Sequence, residues 1–317
     1  MELNDGNKDR YNMDKRYSLL VVGSSNTDMV VQTDHFPEPG ETLLGGDFFM
    51  NPGGKGANQA VAAARLGGNV AFIAKVGRDI FGKETIENLL KEGIHTAGMS
   101  MDDHLPSGVA QITVDKKGEN CIVVASGANM ALSADDIDLH FSLVQQAEII
   151  LLQLEIPMET VSHVTRLGHE AGKKIILNPA PAQVLSDELY PRLYAITPNE
   201  SEATLLSRVQ VNDESSAARA AMFFHHQGVK VVVITLGAQG AYLSSEAYQG
   251  IVPAPAVAVV DTTAAGDTFN GALAVGISKG MGVKEAVEFA NRAAALSVTK
   301  KGAQSSVPRL SEIASSK

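Results

Sequence analysis

The segment Asp261-Thr262-Thr263-Ala264-Ala265-Gly266-Asp267-Thr268-Phe269 sets a carboxylate on each side of a turn of small residues. It follows the apolar run Val257 to Val260, which reads as a strand, and leads into a helix through Ala272 and Val275. Small side chains at a helix entrance let the first backbone N–H groups approach a ligand. Those unpaired donors and the positive end of the helix dipole favour an anion, of which a phosphoryl group in transfer is one. Asp267 falls in the first helical turn, where a carboxylate can meet an attacking hydroxyl and take its proton. Helix capping is the competing role, because acidic residues are common at helix starts. Capping alone leaves the tight Ala-Ala-Gly turn unexplained.

Two further loops carry hydroxyl-binding chemistry. Asn51-Pro52-Gly53-Gly54-Lys55-Gly56-Ala57-Asn58-Gln59 is a glycine-rich entry to a helix. It lacks the Ser or Thr after Gly-Lys that a Walker A loop uses to hold magnesium, and the third glycine of a dinucleotide fingerprint. Lys55 and Asn58 can hold hydroxyls, and a plain loop-to-helix entry is the alternative. In Gly23-Ser24-Ser25-Asn26-Thr27-Asp28 an amide and a carboxylate two residues apart point the same way if the chain is extended. Asp28 can accept two hydroxyl protons at once, which suits a vicinal diol, and an Asx turn is the alternative.

These loops need a frame to hold them. Tyr17 to Val22 reads as a buried strand that delivers the first loop at its carboxyl end, and Gly54 to Leu66 as a helix with a small-residue face that ends at Gly67-Gly68. Ala71 to Val76, Glu148 to Leu154, Lys174 to Leu177, Ala195 to Thr197 and Val229 to Thr235 read as further strands, with Phe81 to Lys91 a helix. That alternation predicts an α/β fold, a doubly wound and mostly parallel sheet whose ligands gather at the strand carboxyl ends. Residues 28–50 and 108–125 break the rhythm, the second alternating like a hairpin around Asp115-Lys116-Lys117-Gly118. They are expected to form a small projecting sheet able to act as a lid. Residues 1–16 read as a mobile tail, 17–310 as one domain and 311–317 as a C-terminal tail.

With 36 acidic and 26 basic side chains, a net charge of -10 and no basic run longer than a pair such as Lys300-Lys301, the chain is a poor match for nucleic acid. No run of about 18 apolar residues predicts a membrane span. The opening ten residues lack the apolar region of a secretory signal. A single cysteine, Cys121, lies in the apolar run Cys121-Ile122-Val123-Val124 and is expected to be a buried thiol in a reducing, cytoplasmic setting. His225-His226 and the pair His163 and His169 lack helical metal-ligand spacing and read as surface or packing residues.

Together and in this order, the three loops resemble the signatures of the ribokinase, or PfkB, family of carbohydrate kinases, over roughly residues 17 to 310. The resemblance implies a kinase that uses magnesium and ATP to phosphorylate a small sugar, D-ribose first among candidates, at its 5-hydroxyl. It implies that Asp267 is the catalytic base and that the Ala264–Gly266 backbone is the anion hole. Asn26, Thr27, Asp28, Gly54, Lys55, Gly56, Ala57, Asn58 and Glu155 match sugar-site positions. Asn199-Glu200-Ser201-Glu202 resembles the family's Asn-x-x-Glu motif, with Asn199 toward nucleotide phosphate and Glu202 helping to place magnesium through water. Without the resemblance, Glu202 reads as a helix-surface charge. Thr235, Leu236, Gly237, Ala238, Gln239 and Gly240 resemble the nucleotide-binding turn, and Asn291 falls where the family contacts adenine. A potassium or other monovalent activator is implied beside the anion hole, at Asp261, Thr263, Ser297, Lys300, Gly302 and Ser306. A homodimer through the lid is implied as well.

Rival readings differ in discriminating features. Deoxyribose, other sugars and nucleosides are alternative acceptors, although an aromatic content of 5% with no tryptophan disfavours a nucleobase pocket. A non-catalytic sugar sensor would have no use for Asp267 at an anion hole. A nicotinamide-dependent oxidoreductase would need the absent dinucleotide fingerprint.

Overall fold

The computed structural model describes residues 17–315, so the expected tail at 1–16 lies outside the described residues. In chain order the first elements are β1 (Leu19–Val22), β2 (Asn26–Gln32), β3 (Phe48–Gly53), α1 (Lys55–Arg65), β4 (Val70–Gly77), α2 (Ile80–Lys91), β5 (His95–Asp102), β6 (Gly108–Val114) and β7 (Asn120–Ala125). There follow α3 (Ala134–Leu139), α4 (Phe141–Gln146), β8 (Ile149–Leu152), α5 (Met158–Glu170), β9 (Lys174–Leu177), β10 (Ala195–Ile196), α6 (Glu200–Ser207) and α7 (Glu214–His226). The chain closes with β11 (Val231–Thr235), β12 (Ala241–Ser244), β13 (Gln249–Val252), α8 (Ala265–Ser278), α9 (Val283–Ser297) and α10 (Leu310–Ser315).

The main sheet runs β13-β12-β11-β10-β9-β8-β1-β4-β5 and is parallel except for its β11-β12-β13 edge. Its inner strands β1 and β8 are apolar at every position because both faces are covered. Leu20 and Val22 of β1 join a core beneath α3 to α7, whereas Leu19 and Val21 join the opposite core beneath α1, α2, α8 and α9. The chain moves from β1 to β4 on one side and later places β8 on the other. This reversal opens a crevice at the carboxyl end of β1, the usual ligand position in such sheets.

Two small-residue helices set the spacing of the site. A Cβ on Gly271 of α8 would lie 2.7 Å from Ala62 Cβ and 2.8 Å from Gln59 O of α1. Only a glycine permits that approach, and it brings the start of α1 against the start of α8.

The second sheet has the order β3-β2-β6-β7 and projects from the first, as expected of residues 28–50 and 108–125. Its β6-β7 pair is antiparallel, and Asp115 closes the turn by accepting from the Lys117 and Glu119 N–H groups.

Three expectations need correction. Cys121 is exposed, because β7 is an edge strand with solvent on both faces, and its apolar neighbours mislead about burial. Val257 to Val260 is not a strand but an exposed connection, in which Val259 and Val260 are 60% and 55% accessible. Residues 311–315, expected as tail, continue α10, anchored by buried Ile313 and a 2.5 Å Lys300–Glu312 ion pair. The histidines are surface and packing residues: His163 meets Asp138 at 2.7 Å, His225 bridges Val229 O and Ser244 Oγ, and His169 and His226 are exposed.

Candidate active site

At the start of α8, Ala264 takes the left-handed conformation (φ 58°) and turns the chain into the helix. Ala265 N–H is satisfied by Thr262 O, and Thr268 N–H by Ala264 O. The N–H groups of Gly266 and Asp267 find no acceptor among the described residues. They open on a cleft of ≈ 240 Å³ lined by Lys55, Asn199, Glu202, Thr235, Thr262 and the Ala264–Asp267 turn. Two free donors at the positive end of a 14-residue helix form an anion site.

Asp267 does not cap its helix. Its Oδ2 accepts from Asn58 Nδ2 and its Oδ1 from Gln59 Nε2, each at 3.0 Å. The side chain is thus held across α1 with only 6% of its surface accessible. A carboxylate fixed between a hydroxyl-binding loop and an anion hole has the geometry of a general base. Asn58 Oδ1 is buried with no partner among the described residues, an acceptor ready for a ligand hydroxyl.

The expected acceptor side is built from β1, β2 and the entry to α1. Asn26 and Asp28 share one face of β2, as read from the sequence, whereas Thr27 points to the other face and offers only its backbone there. Asn26 is buried and is held by Asn129 Nδ2 at 2.8 Å. Asp28 is pushed up to about 6, first by burial and then by the nearby Glu155 and Asp267 carboxylates. Gly53 makes room for that carboxylate, because a Cβ there would collide with both Asp28 oxygens. Gly53→Ala should therefore raise KM for the acceptor about tenfold or more while leaving KM for ATP unchanged, on the scale of a displaced charge-assisted hydrogen bond. Steady-state kinetics with each substrate varied would check it, and equal effects on both would sink the assignment.

Gly54 enters α1 at φ 86°, pressed against the Ser25 and Asn26 backbone. Glu155 accepts from Ser24 Oγ at 2.5 Å and from Lys55 N–H at 3.0 Å, which anchors the amino end of α1. Burial works against the Lys55 charge, but the Asp267, Glu155 and Glu202 carboxylates outweigh it and hold the ammonium above its ordinary range. Gly56 packs on the Ser24 backbone, and the Ala57 methyl turns into the core, so neither side chain faces the crevice.

On the expected nucleotide side, Asn199 and Glu202 form a reciprocal capping box on α6, with both bonds at 2.8 Å. Glu202 is buried, not the surface charge that its sequence context alone suggests. Burial raises its pKa, opposed by the Asn199 N–H and by Lys55. Thr235 lines the cleft, and the turn through Gly237, Ala238, Gln239 and Gly240 closes with Leu236 N–H bonded to Gly240 O, while the Leu236 side chain is in the core. Asn291 is buried and donates to Val252 O at 2.8 Å and to Pro253 O at 3.4 Å, which holds the end of β13.

Of the expected cation positions, Asp261, Thr263 and Gly302 meet directly. Asp261 accepts from Gly302 N–H at 2.8 Å and from both donors of Thr263. Burial acts to raise the Asp261 pKa, yet these bonds outweigh it and hold the carboxyl below its ordinary value. The hydroxyls of Ser297 and Ser306 bond Ala294 O and Ala303 O, and the Lys300 ammonium turns outward to Glu312. These positions can offer a cation main-chain oxygens and not these side chains.

Sequence reasoning missed Gln59, Asn129, Gln153 and Asn178, all buried here. A lone amide in an apolar context carries no motif, and only the fold reveals what it touches.

A polar crevice and unpaired helix-start N–H groups, with one fixed carboxylate between them on a doubly wound sheet, are an arrangement suited to a kinase for a small polyhydroxyl acceptor. The chain belongs to the pfkB family of carbohydrate kinases, whose model matches residues 16–310. A ribokinase of Haemophilus influenzae is 46% identical over 94% of this chain and 97% of its own length. Among solved structures, the ribokinase of Thermotoga maritima superposes with a TM-score of 0.86 at 41% identity, covering 94% of this chain and 98% of its own. The Arabidopsis thaliana ribokinase complexed with ribose and ATP gives a TM-score of 0.88 at 33% identity, with 95% and 98% coverage.

Proposed function

We propose that the protein transfers the γ-phosphoryl group of ATP to the 5-hydroxyl of D-ribose. The observation that carries this reading is Asp267, fixed by Asn58 and Gln59 beside the free Gly266 and Asp267 N–H groups. Asp28 and Asn26 hold sugar hydroxyls, Lys55 and Asn58 orient the acceptor, and Asp267 takes the proton of the attacking hydroxyl. The new O–P bond forms as the bond from the γ-phosphorus to ADP breaks, with the helix-start N–H groups receiving the developing charge. Deoxyribose or another small sugar is the alternative acceptor.

Glu202 fits a magnesium role. One of its oxygens is committed to Asn199 N–H, which leaves the other for a water of an ion that keeps most of its hydration. Magnesium so placed would neutralise charge on the ATP phosphates. The Asp261 and Gly302 junction fits a potassium or other monovalent activator held by main-chain oxygens, which would add positive charge next to the anion hole. The exposed Phe48, Met50, Ile122, Val123 and Val124 of the projecting sheet support a homodimer formed by that lid. Among the described residues no helix is long and apolar enough to cross a membrane, and the free Cys121 suits a reducing cytoplasm.

The test is acceptor-dependent ADP release with magnesium-ATP and potassium, comparing D-ribose, 2-deoxyribose, fructose and adenosine at matched concentrations. The highest kcat/KM with ribose is expected. A preference for another acceptor moves the substrate, and no acceptor-dependent release removes the kinase reading in favour of a sugar sensor.

A further inference from the structure

Behind Asp267 lies a set of buried amides that direct substrate contact does not account for. Gln59 and Gln153 are each 0% accessible, and Gln153 Oε1 finds no partner among the described residues. Gln59 Nε2 donates to Asp267 Oδ1 and to Asn178 Oδ1, both at 3.0 Å, while Gln59 Oε1 accepts from Gln153 Nε2 at 2.6 Å. The series continues from Asn178 Nδ2 to Thr197 O, from Thr197 Oγ1 to Asn270 Oδ1, and from Asn270 Nδ2 to Gly266 O, which returns it to the residue next to Asp267. Gln153, Asn178 and Thr197 each follow directly on β8, β9 and β10, so the ring ties the base to three adjacent strand ends.

The direction of these bonds is fixed by the carboxylate. An ionised Asp267 only accepts, so the Gln59 amide must present its NH2 to it and its oxygen to the far side. That oxygen then requires a donor, and Gln153 is the one in place.

We infer that Gln59 is a positioning residue for phosphoryl transfer and that Gln153 supports the orientation of its amide by satisfying its oxygen. The inference rests on Asp267 being the base. Gln59 fixes one carboxylate oxygen, which leaves the rotation of Asp267 defined when a hydroxyl arrives. Without Gln153 the Gln59 oxygen is buried with no donor, which loosens the hold of its NH2 group on Asp267 and Asn178, so the two residues act as one device.

The test uses Gln59→Met, Gln153→Met and the double variant, each first shown to bind sugar and ATP as the parent does. Gln59→Met should lower kcat about 100-fold with KM for ATP unchanged, the scale of a misplaced catalytic group. Gln153→Met should lower kcat about tenfold, and the double variant should match Gln59→Met alone, because one broken device cannot be broken twice. Losses that add, or an unchanged kcat in a folded Gln59→Met protein, would overturn the inference. If Gln59→Met does not fold, Gln153→Met, which does not touch Asp267, decides it: unchanged kcat refutes the orientation. Asp267→Asn assayed in parallel separates the two readings. Its retained turnover would remove the base, whereas an inactive Asp267→Asn beside a fully active Gln59→Met would remove only the relay.

Discussion

Replacing Asp267 with Asn is expected to lower kcat about 10³- to 10⁴-fold, at the upper end of what a positioned general base supplies. Sugar and nucleotide should still bind, because Asn26, Asp28 and the Thr235 turn do not depend on the carboxylate. The isoster also has a structural cost that follows from the bonds at the site. Both Asp267 oxygens accept from amide NH2 groups, and an asparagine can accept on only one side. Its own NH2 would then face the NH2 of Asn58 or Gln59 in a largely buried position, a mismatch worth about 1–3 kcal/mol of stability. Thermal denaturation should therefore show a lowered midpoint beside the kinetic loss. Single-turnover phosphoryl transfer with calorimetric binding of both substrates separates the two effects. Near-parental turnover in a variant that binds both would remove Asp267 from the chemistry.

The sequence carried the frame and the loops well, for physical reasons that can be named. Strands covered on both faces read as unbroken apolar runs, and Leu19–Val22 and Val231–Thr235 were legible for that reason. Asp267 was legible because its helix entrance combines small residues with a carboxylate. What failed was inference from local polarity to burial. Cys121 looked buried because its neighbours are apolar, yet it stands on a lid edge whose apolar side chains face outward. Glu202 looked exposed because it sits on a helix, yet its capping box with Asn199 turns it inward. The antiparallel β12-β13 edge was not expected, since Gly250 and the short spans between turns conceal alternation. Gln59 and Gln153 were silent because a buried amide is explained only by its partner, and theirs lie 208 and 94 residues away in sequence, at Asp267 and Gln59 respectively.

Asp28 separates binding from stability in a way that pH can resolve. Its folded pKa of about 6 stands above the ordinary 3.8, first through burial and then through Glu155 and Asp267. The folded state therefore binds this proton more tightly than the unfolded chain. Stability associated with protonated Asp28 is fully present below about pH 4 and is lost as pH rises through about 6. Above that, the ligand-free protein carries a carboxylate that its surroundings oppose. Asp28→Asn removes the charge at every pH, so its melting temperature should exceed the parent's by about 2–4 °C at pH 7 to 8, and the gain should vanish toward pH 4. Function should move the opposite way. A carboxylate accepts from two hydroxyls, whereas an amide accepts on one side only, so KM for the sugar should rise about 10- to 100-fold at pH 8. The parent's own KM should rise as pH falls below about 6 and Asp28 takes up its proton, and the variant's should stay flat across that range. A variant without the thermal gain, or one whose sugar KM follows the parent's pH profile, would mean that Asp28 is neither strained nor the diol acceptor. The combined outcome, a more stable protein that binds its sugar less well, is what a site built for a ligand and not for its own fold should give.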